Sequence, residues 1–238
     1  MTHRPEPLPE NAIPLSKLPH FDPREVAVDG VDSHLPAVAA SSLTPAALRE
    51  RFARPPKWSP ELYAERKFVE RKPVHASVLV GIVMRGEPTV ILTERTTHLS
   101  THSGQVAFPG GKRDDTDRDA AHTALREAQE EVDLDPAYVE VLGSMPTYTT
   151  GTSFIVTPVV ALVHPTHELK ANPHEVADAF EVPLVFLMNP AHHRRHHVMV
   201  EGVRRDWFSM PYMDGATERF VWGATAGMLR NLYRFLVA

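Results

Sequence analysis

The stretch Asp119–Asp133, DAAHTALREAQEEVD, decides the reading of this chain, together with Phe108–Lys112, FPGGK, just upstream of it. At 100° per residue, Leu125, Ala128 and Val132 fall within about 60° of one another, while Glu127, Glu130 and Glu131 occupy an arc of about 100° on the opposite side. The spacing therefore predicts a helix with one apolar face and one acidic face. Like charges three or four residues apart cost a helix roughly 0.2–0.5 kcal/mol per pair, so the acidic face needs either plain solvation or a cation. For an arbitrary helix, solvation is the default. Two neighbours favour the cation. Arg126 stands four residues before Glu130, where it can pair with that carboxylate and hold its rotamer. Gly110 and Gly111 remove two β-carbons where the chain must turn into the helix, so backbone amides and carbonyls can approach a metal or a phosphate closely. Mg²⁺ and Mn²⁺, which prefer oxygen ligands, suit such a set.

On these residues the chain resembles the Nudix hydrolases, whose signature is G-x(5)-E-x(7)-R-E-U-x-E-E-x-G-U with U aliphatic. Gly111, Arg126, Glu127, Glu130 and Glu131 match it. There are three departures. One extra residue lies between Gly111 and Arg126, so the acid found mid-box is Asp117 or Asp119. Ala128 stands at the first aliphatic position, and Asp133 replaces the closing glycine, where aspartate tolerates the left-handed conformation of a helix end. A second stretch, LTERTTHLSTHSGQVAFPGG at 92–111, is similar to the segment before the box in the branch that cleaves coenzyme A, written L-T-x-R-S-x-x-L-R-x-H-x-G-Q-V-x-F-P-G-G. That branch also has the longer spacing from glycine to arginine. Arg95, His102, Gly104 and Gln105 match, and Ser100 stands where the branch carries arginine.

The resemblance implies an α/β protein, an α/β/α sandwich with a mixed sheet, and a metal-dependent pyrophosphohydrolase. Its substrate would be coenzyme A or an acyl-CoA, split into 3′,5′-ADP and (acyl-)4′-phosphopantetheine. Glu127 and Glu131 would hold Mg²⁺ or Mn²⁺, with Glu130 and the Gly111 carbonyl as further contacts. Arg126 would orient Glu130, and Glu127 would take the proton of the attacking water. Arg95, His102, Gln105 and the loop Gly110, Gly111 and Lys112 would contact substrate. The Ser100 departure keeps open another nucleoside diphosphate derivative, such as ADP-ribose, a dinucleotide or a nucleoside triphosphate. A module that binds a nucleotide without cleaving it is disfavoured, because such modules lose box acids and all three glutamates are present here.

The 238 residues are 42% hydrophobic, enough to bury a core, and carry a net charge of −5. That balance argues against a nucleic-acid partner, since phosphate-backbone binders carry a basic face. With no cysteine, disulfides and thiolate metal sites are excluded. The apolar runs at Val74–Met84 and Phe154–Val163 are about half the length that spans a bilayer. The proline-rich first twenty residues are unlike a signal peptide's apolar core, so a soluble, cytoplasmic protein is expected.

Prolines divide the chain. Twelve of the 22 fall in residues 1–73, which are predicted as a proline-rich N-terminal extension, and 74–238 as the Nudix-like domain. Within the extension, Thr44 as N-cap, Pro45 and AALRERFAR predict a short helix, and Glu61–Val69 is a second candidate. The extension is either a poorly ordered leader or an arm packing on the core or on a second subunit, which leaves a homodimer open. HASVLVGIVM and TVILTER, joined at Gly86-Glu87-Pro88, read as a hairpin; Tyr138–Leu142 and Phe154–Val163 read as strands, with a polar loop at Pro146–Ser153 between them. Glu175 or Glu181 is a candidate for one more carboxylate. HHRRHH at 192–197 reads as a solvated loop or turn, with Arg194 or Arg195 available to an anion, and VWGATAGMLRNLYRFL as a packing helix.

Overall fold

The computed structural model describes residues 21–62, 64–65, 72–96, 104–200 and 202–238. His102, Ser100 and the first 20 residues lie outside the described residues, as do 63 and 66–69 of the second candidate helix, Glu61–Val69, whose described residues are not helical, Ala64 bridging Thr149 instead. The elements begin with β1 (Gly30–Val31), α1 (Pro45–Ala53), β2 (Val74–Val83), β3 (Thr89–Arg95), β4 (Val106–Ala107) and β5 (Gly110–Lys112). Next come α2 (Ala120–Val132), β6 (Val139–Ser144), β7 (Tyr148–Thr149), β8 (Phe154–Val163), β9 (Val176–Pro183) and α3 (Leu184–Leu187). The chain closes with β10 (Arg194–Val200), β11 (Val203–Asp214), β12 (Thr217–Trp222) and α4 (Gly223–Val237).

The central sheet is mixed: β2 and β8 run parallel over Val74–Val83 and Phe154–Val163, and the other pairings are antiparallel. Side chains alternate across it, as the pleat requires. Leu79, Val83, Ile91, Val159, Ala161 and Val163 meet Ala124, Ala128 and Val132 of α2 on one face. Val80, Ile82, Val160 and Leu162 meet Leu229, Leu232 and Leu236 of α4 on the other, so helices cover both faces and the sandwich is α/β/α.

The N-terminal segment joins the second of these clusters through Val38, Leu43 and Leu48. Helix α1 starts as its sequence predicts, with Thr44 Oγ1 accepting from Ala47 N–H at 3.3 Å and Pro45 in the first turn. No helix of the described residues is long and apolar enough to cross a membrane.

Four further expectations need correction. The hairpin from β2 to β3 pairs only at Ile82–Val90 and Val83–Thr89, because the segment carrying β4 and β5 is wedged into the opening. Gly110–Gly111 is therefore a sheet strand, and the turn into α2 comes later. Pro146–Ser153 contains β7, whose Tyr148 is buried against Gly227 of α4. The 192–197 tract is mostly strand. Its β10 belongs to a second sheet, ordered β1-β10-β11-β12, that the sequence reading missed entirely.

Candidate functional site

Helix α2 carries the acids, and its ends are fixed by aspartates. The Asp119 side chain accepts from His122 N–H at 2.8 Å, and Asp133 ends the helix at φ 57°, its N–H donating to Gln129 O at 3.1 Å. The left-handed turn expected of Asp133 is present. Asp119 is thereby spent as a cap. Asp117, the other candidate for the mid-box acid, is buried and accepts from Arg126 at 3.1 and 2.9 Å and from Asp114 N–H at 2.9 Å. The Arg126 guanidinium holds the Asp117 carboxyl far below the usual carboxylate range.

Anchored at Asp117, Arg126 spreads over the box. Its Nη2 lies 2.9 Å from Glu127 Oε1 and donates to the Lys112 carbonyl at 3.1 Å. Its Nη1 donates to both oxygens of Glu130 at 3.3 Å, the i,i+4 contact expected from the sequence. Asp117 thus fixes one guanidinium that in turn positions two of the three glutamates.

The glutamates do not share one solvated face. Glu130 is exposed, Glu127 is mostly covered and the Glu131 side chain is 4% exposed. The physical reason is the wedge: β5 crosses in front of α2, so the acidic arc meets the sheet instead of water. Glu131 Oε2 accepts from Gly110 N–H at 3.0 Å, and a β-carbon on Gly111 would stand 2.4 Å from Glu127 Oε2. Gly110 is needed for a second reason, since its φ is +153° and a β-carbon there would stand 2.4 Å from the Ser77 carbonyl oxygen. Both glycines are required for close approach, one to a backbone and one to a carboxylate.

Burial raises the acids. Desolvation pushes Glu131 up to about 7, opposed by the Gly110 N–H and by Arg95, whose Nη1 is 3.8 Å from Oε1. Glu127 is also raised, by desolvation first, with Arg126 opposing. The negative charge of Glu175 acts on both. Glu181 is held by Arg85 at 2.7 and 2.8 Å and by Thr89, so of the two extra carboxylates considered, Glu175 is the one facing the box.

Of the other predicted contacts, Arg95 stands beside Glu131, and Gln105 pairs with Arg95 through the backbone at 3.1 Å. Lys112 joins by its carbonyl, with an exposed side chain. Arg195 is engaged by Asp32 at 2.8 Å and Glu61 at 3.2 Å, so the anion role considered for it is taken by carboxylates of the N-terminal segment. Thr96 was not singled out by the sequence: its hydroxyl is buried next to Arg95 without a hydrogen-bond partner among the described residues, and its N–H donates to Glu175 O at 3.1 Å. Nothing in its spacing signals that position.

Among the described residues no three histidine, cysteine, aspartate or glutamate groups already converge as a metal cluster. What the structure offers is two carboxylates meeting at a glycine strand, where the missing β-carbon of Gly111 lets the Glu127 carboxylate lie against the backbone. The donors are all oxygen, and one is a buried acid short of positive charge. That set fits a hard divalent cation and does not fit a soft one.

Sequence comparison places the chain among known proteins. The NUDIX domain model matches residues 75–202. A protein of Escherichia coli (strain K12 / DH10B) named "Uncharacterized Nudix hydrolase NudL" is 43% identical over 157 residues, covering 66% of this chain and 80% of that one. The protein of the same name from Shigella flexneri serotype 5b is 41% identical over 170 residues, covering 70% of this chain and 86% of its own. A solved Ap4A hydrolase of C. elegans, in a binary complex, has 19% identity and a TM-score of 0.40, over 46% of this chain and 80% of that one. With the family's domain matched over residues 75–202 and 43% identity to a named relative over 157 residues, the chain belongs to the Nudix hydrolase family.

Proposed function

We propose that the protein is a cytoplasmic, metal-dependent pyrophosphohydrolase that cleaves the diphosphate of coenzyme A or an acyl-CoA, releasing 3′,5′-ADP and (acyl-)4′-phosphopantetheine. The observation that carries the hydrolytic part is the meeting of Glu127 and Glu131 at Gly110–Gly111. The coenzyme A part is supported by the likeness of residues 92–111 to the segment of the branch that cleaves it.

In this reading Glu127, Glu131 and the Gly111 carbonyl hold Mg²⁺ or Mn²⁺, and Glu130 contributes from the exposed side. When bound, such a cation neutralises diphosphate oxygens and lowers the pKa of a water. The remaining work falls to the chain. Asp117 anchors Arg126, which keeps Glu127 and Glu130 in place. Water attacks one phosphorus, a P–O bond forms, and the bond to the bridging oxygen breaks. Glu127 takes the water's proton; general-base help of this kind is worth on the order of 10²–10⁴ in rate. Arg95, beside Glu131, meets the anionic substrate.

The test is a panel of coenzyme A, dephospho-coenzyme A and ADP-ribose, run with Mg²⁺ and Mn²⁺ separately and with products identified. Coenzyme A should be turned over best and yield 3′,5′-ADP. Preference for ADP-ribose would contradict the choice of substrate, and activity indifferent to chelator would contradict the chemistry. The second reading, a hydrolase of another nucleoside diphosphate derivative, is favoured by Ser100 in place of arginine.

A further inference from the structure

A cleft of about 270 Å³ opens between the N-terminal segment at Phe21 and Arg24, strand β12 at Phe220 and Trp222, and the approach to β4 at Gly104 and Gln105. Three of its lining side chains are rings, Phe21, Phe220 and Trp222, and Asp22 and Gln105 stand among them. Phe21 and Trp222 lie 6.2 Å apart, and behind both stands Trp207, at 5.8 Å from Phe21 and 6.4 Å from Trp222. Trp207 is itself stacked on His196 at 5.4 Å and 9°, so the back of the wall is held in place. Arg24 lies over the Phe220 ring at 5.0 Å. Its carboxylate neighbours are loose, Asp22 at 3.9 Å and Glu218 at 3.7 Å, and its side chain is half exposed.

The cleft shares a frame with the carboxylates. Gly104 N–H donates to Arg95 O at 3.2 Å and Arg95 N–H to Gln105 O at 3.1 Å, so this wall is bonded to the residue whose guanidinium stands 3.8 Å from Glu131. Thr225 Oγ1 donates to Val106 O at 3.1 Å, tying the start of α4 to β4. Arg219 of β12 reaches Glu94 of β3 at 3.1 Å and also pairs with Asp178 of β9. Rings on a wall bonded to Arg95, itself beside Glu131, suit the flat end of a nucleotide. A bicyclic base stacks on aromatic rings and guanidinium planes without needing a dedicated hydrogen-bond pattern.

We propose that this cleft seats the adenine ring of the substrate, with Arg24 meeting a phosphate of the same nucleotide. The inference rests on the reading that the substrate is an adenine nucleotide diphosphate, and it gives the N-terminal segment a part in recognition. The test is equilibrium binding of 3′,5′-ADP, 5′-AMP and 4′-phosphopantetheine to the full chain and its Phe21→Ala, Trp222→Phe and Arg24→Gln variants, with thermal melts to confirm folding.

Phe21→Ala should weaken both nucleotides about tenfold, the scale of one lost stacking contact, and leave phosphopantetheine within twofold. Arg24→Gln should weaken 3′,5′-ADP more than 5′-AMP. In the conservative Trp222→Phe variant, a ring remains and binding should be largely kept, while the nucleotide-dependent change in tryptophan fluorescence expected of the parent should shrink to the share reported by Trp207. Equal nucleotide affinity in the parent and folded Phe21→Ala would overturn the proposal, even with coenzyme A turned over. If ADP-ribose proves the better substrate and Phe21→Ala still weakens adenine nucleotides, the cleft assignment stands and the coenzyme A reading falls.

Discussion

Two places in this molecule bury charge, and they handle it differently. At the junction of the N-terminal segment with α4, Arg230 is 1% exposed and lies 2.9 Å from Asp32 and 2.7 Å from Glu61. It also donates to His193 Nδ1 at 3.1 Å, while His193 Nε2 donates to Leu187 O at 2.8 Å, a pattern that leaves the imidazole neutral. Burial pushes His193 down to about 4, in keeping with that neutrality. Positive and negative charge balance there within hydrogen-bond distance. At the β5–α2 junction Glu131 is as deeply buried, yet it has one backbone N–H and an arginine at 3.8 Å, and it is raised to about 7. A buried charge whose partners are complete is structural; one left short of its counter-charge marks a place built for something from outside.

The comparison is broken most directly at the unbalanced site. Glu127→Gln and Glu131→Gln should each lower turnover by about 10³-fold or more, since each removes a donor to the cation and the first also removes the base. Folding should survive, because a neutral amide is cheaper to bury than an undercompensated carboxylate. Steady-state rates and urea melts of both variants check this, and near-parental rates in both would sink the assignment.

At the balanced site the effects reverse. Arg230→Met should cost up to about 3–5 kcal/mol in urea unfolding by leaving His193 Nδ1 without its donor and Asp32 and Glu61 with only the partly exposed Arg195 and Arg234, with turnover per folded molecule retained. A change under 1 kcal/mol would show that the network is not a clamp.

Gly111→Ala sharpens the distinction, because its β-carbon would displace the Glu127 carboxylate and leave the core alone. Metal affinity should fall about 10–100-fold with little change in stability, measured by Mn²⁺ titration and melting.

The smallest effect is in the pH dependence of the metal-free protein. Because the folded pKa of Glu131 is raised from 4.5 to about 7, its contribution to stability is fully present below 4.5 and is lost as pH rises through 7. Relative to Glu131→Gln, the parent should therefore lose on the order of 1–3 kcal/mol between pH 4.5 and 8. Saturating Mg²⁺ should remove that loss. A flat difference without metal would show that Glu131 is not undercompensated.

What the sequence made legible depended on whether the signal was local. Caps are local, and Thr44, Asp119 and Asp133 all act at the helix ends their chemistry suggests. Strand β8 is an apolar run and β6 opens with Val139 and Val141, and both were visible for that reason. Periodicity also found the acidic arc of α2, but a wheel shows which residues share a face and not what packs against it. Glu131 is buried by β5, a three-residue strand next to Pro109, too short to carry a pattern of its own. The second sheet was hidden because β10 reads RRHHVMV, and its charges and imidazoles find partners only across the fold. His196 bonds Ser209 at 2.8 Å, and Arg195 bonds Asp32 over 163 positions of sequence. Asp117 and Asp119 were equivalent by spacing and separable only by three-dimensional contacts.

The central claim is that Glu127 and Glu131 form, with the strand at Gly110–Gly111, a seat for a hard divalent cation. Mn²⁺ binding followed by electron paramagnetic resonance, in the parent, Glu127→Gln, Glu131→Gln and Arg230→Met, tests it without relying on any substrate. The account predicts tight Mn²⁺ binding in the parent, retained in folded Arg230→Met and weakened at least about tenfold in both glutamate variants. Mn²⁺ binding unchanged by either glutamate substitution would contradict it.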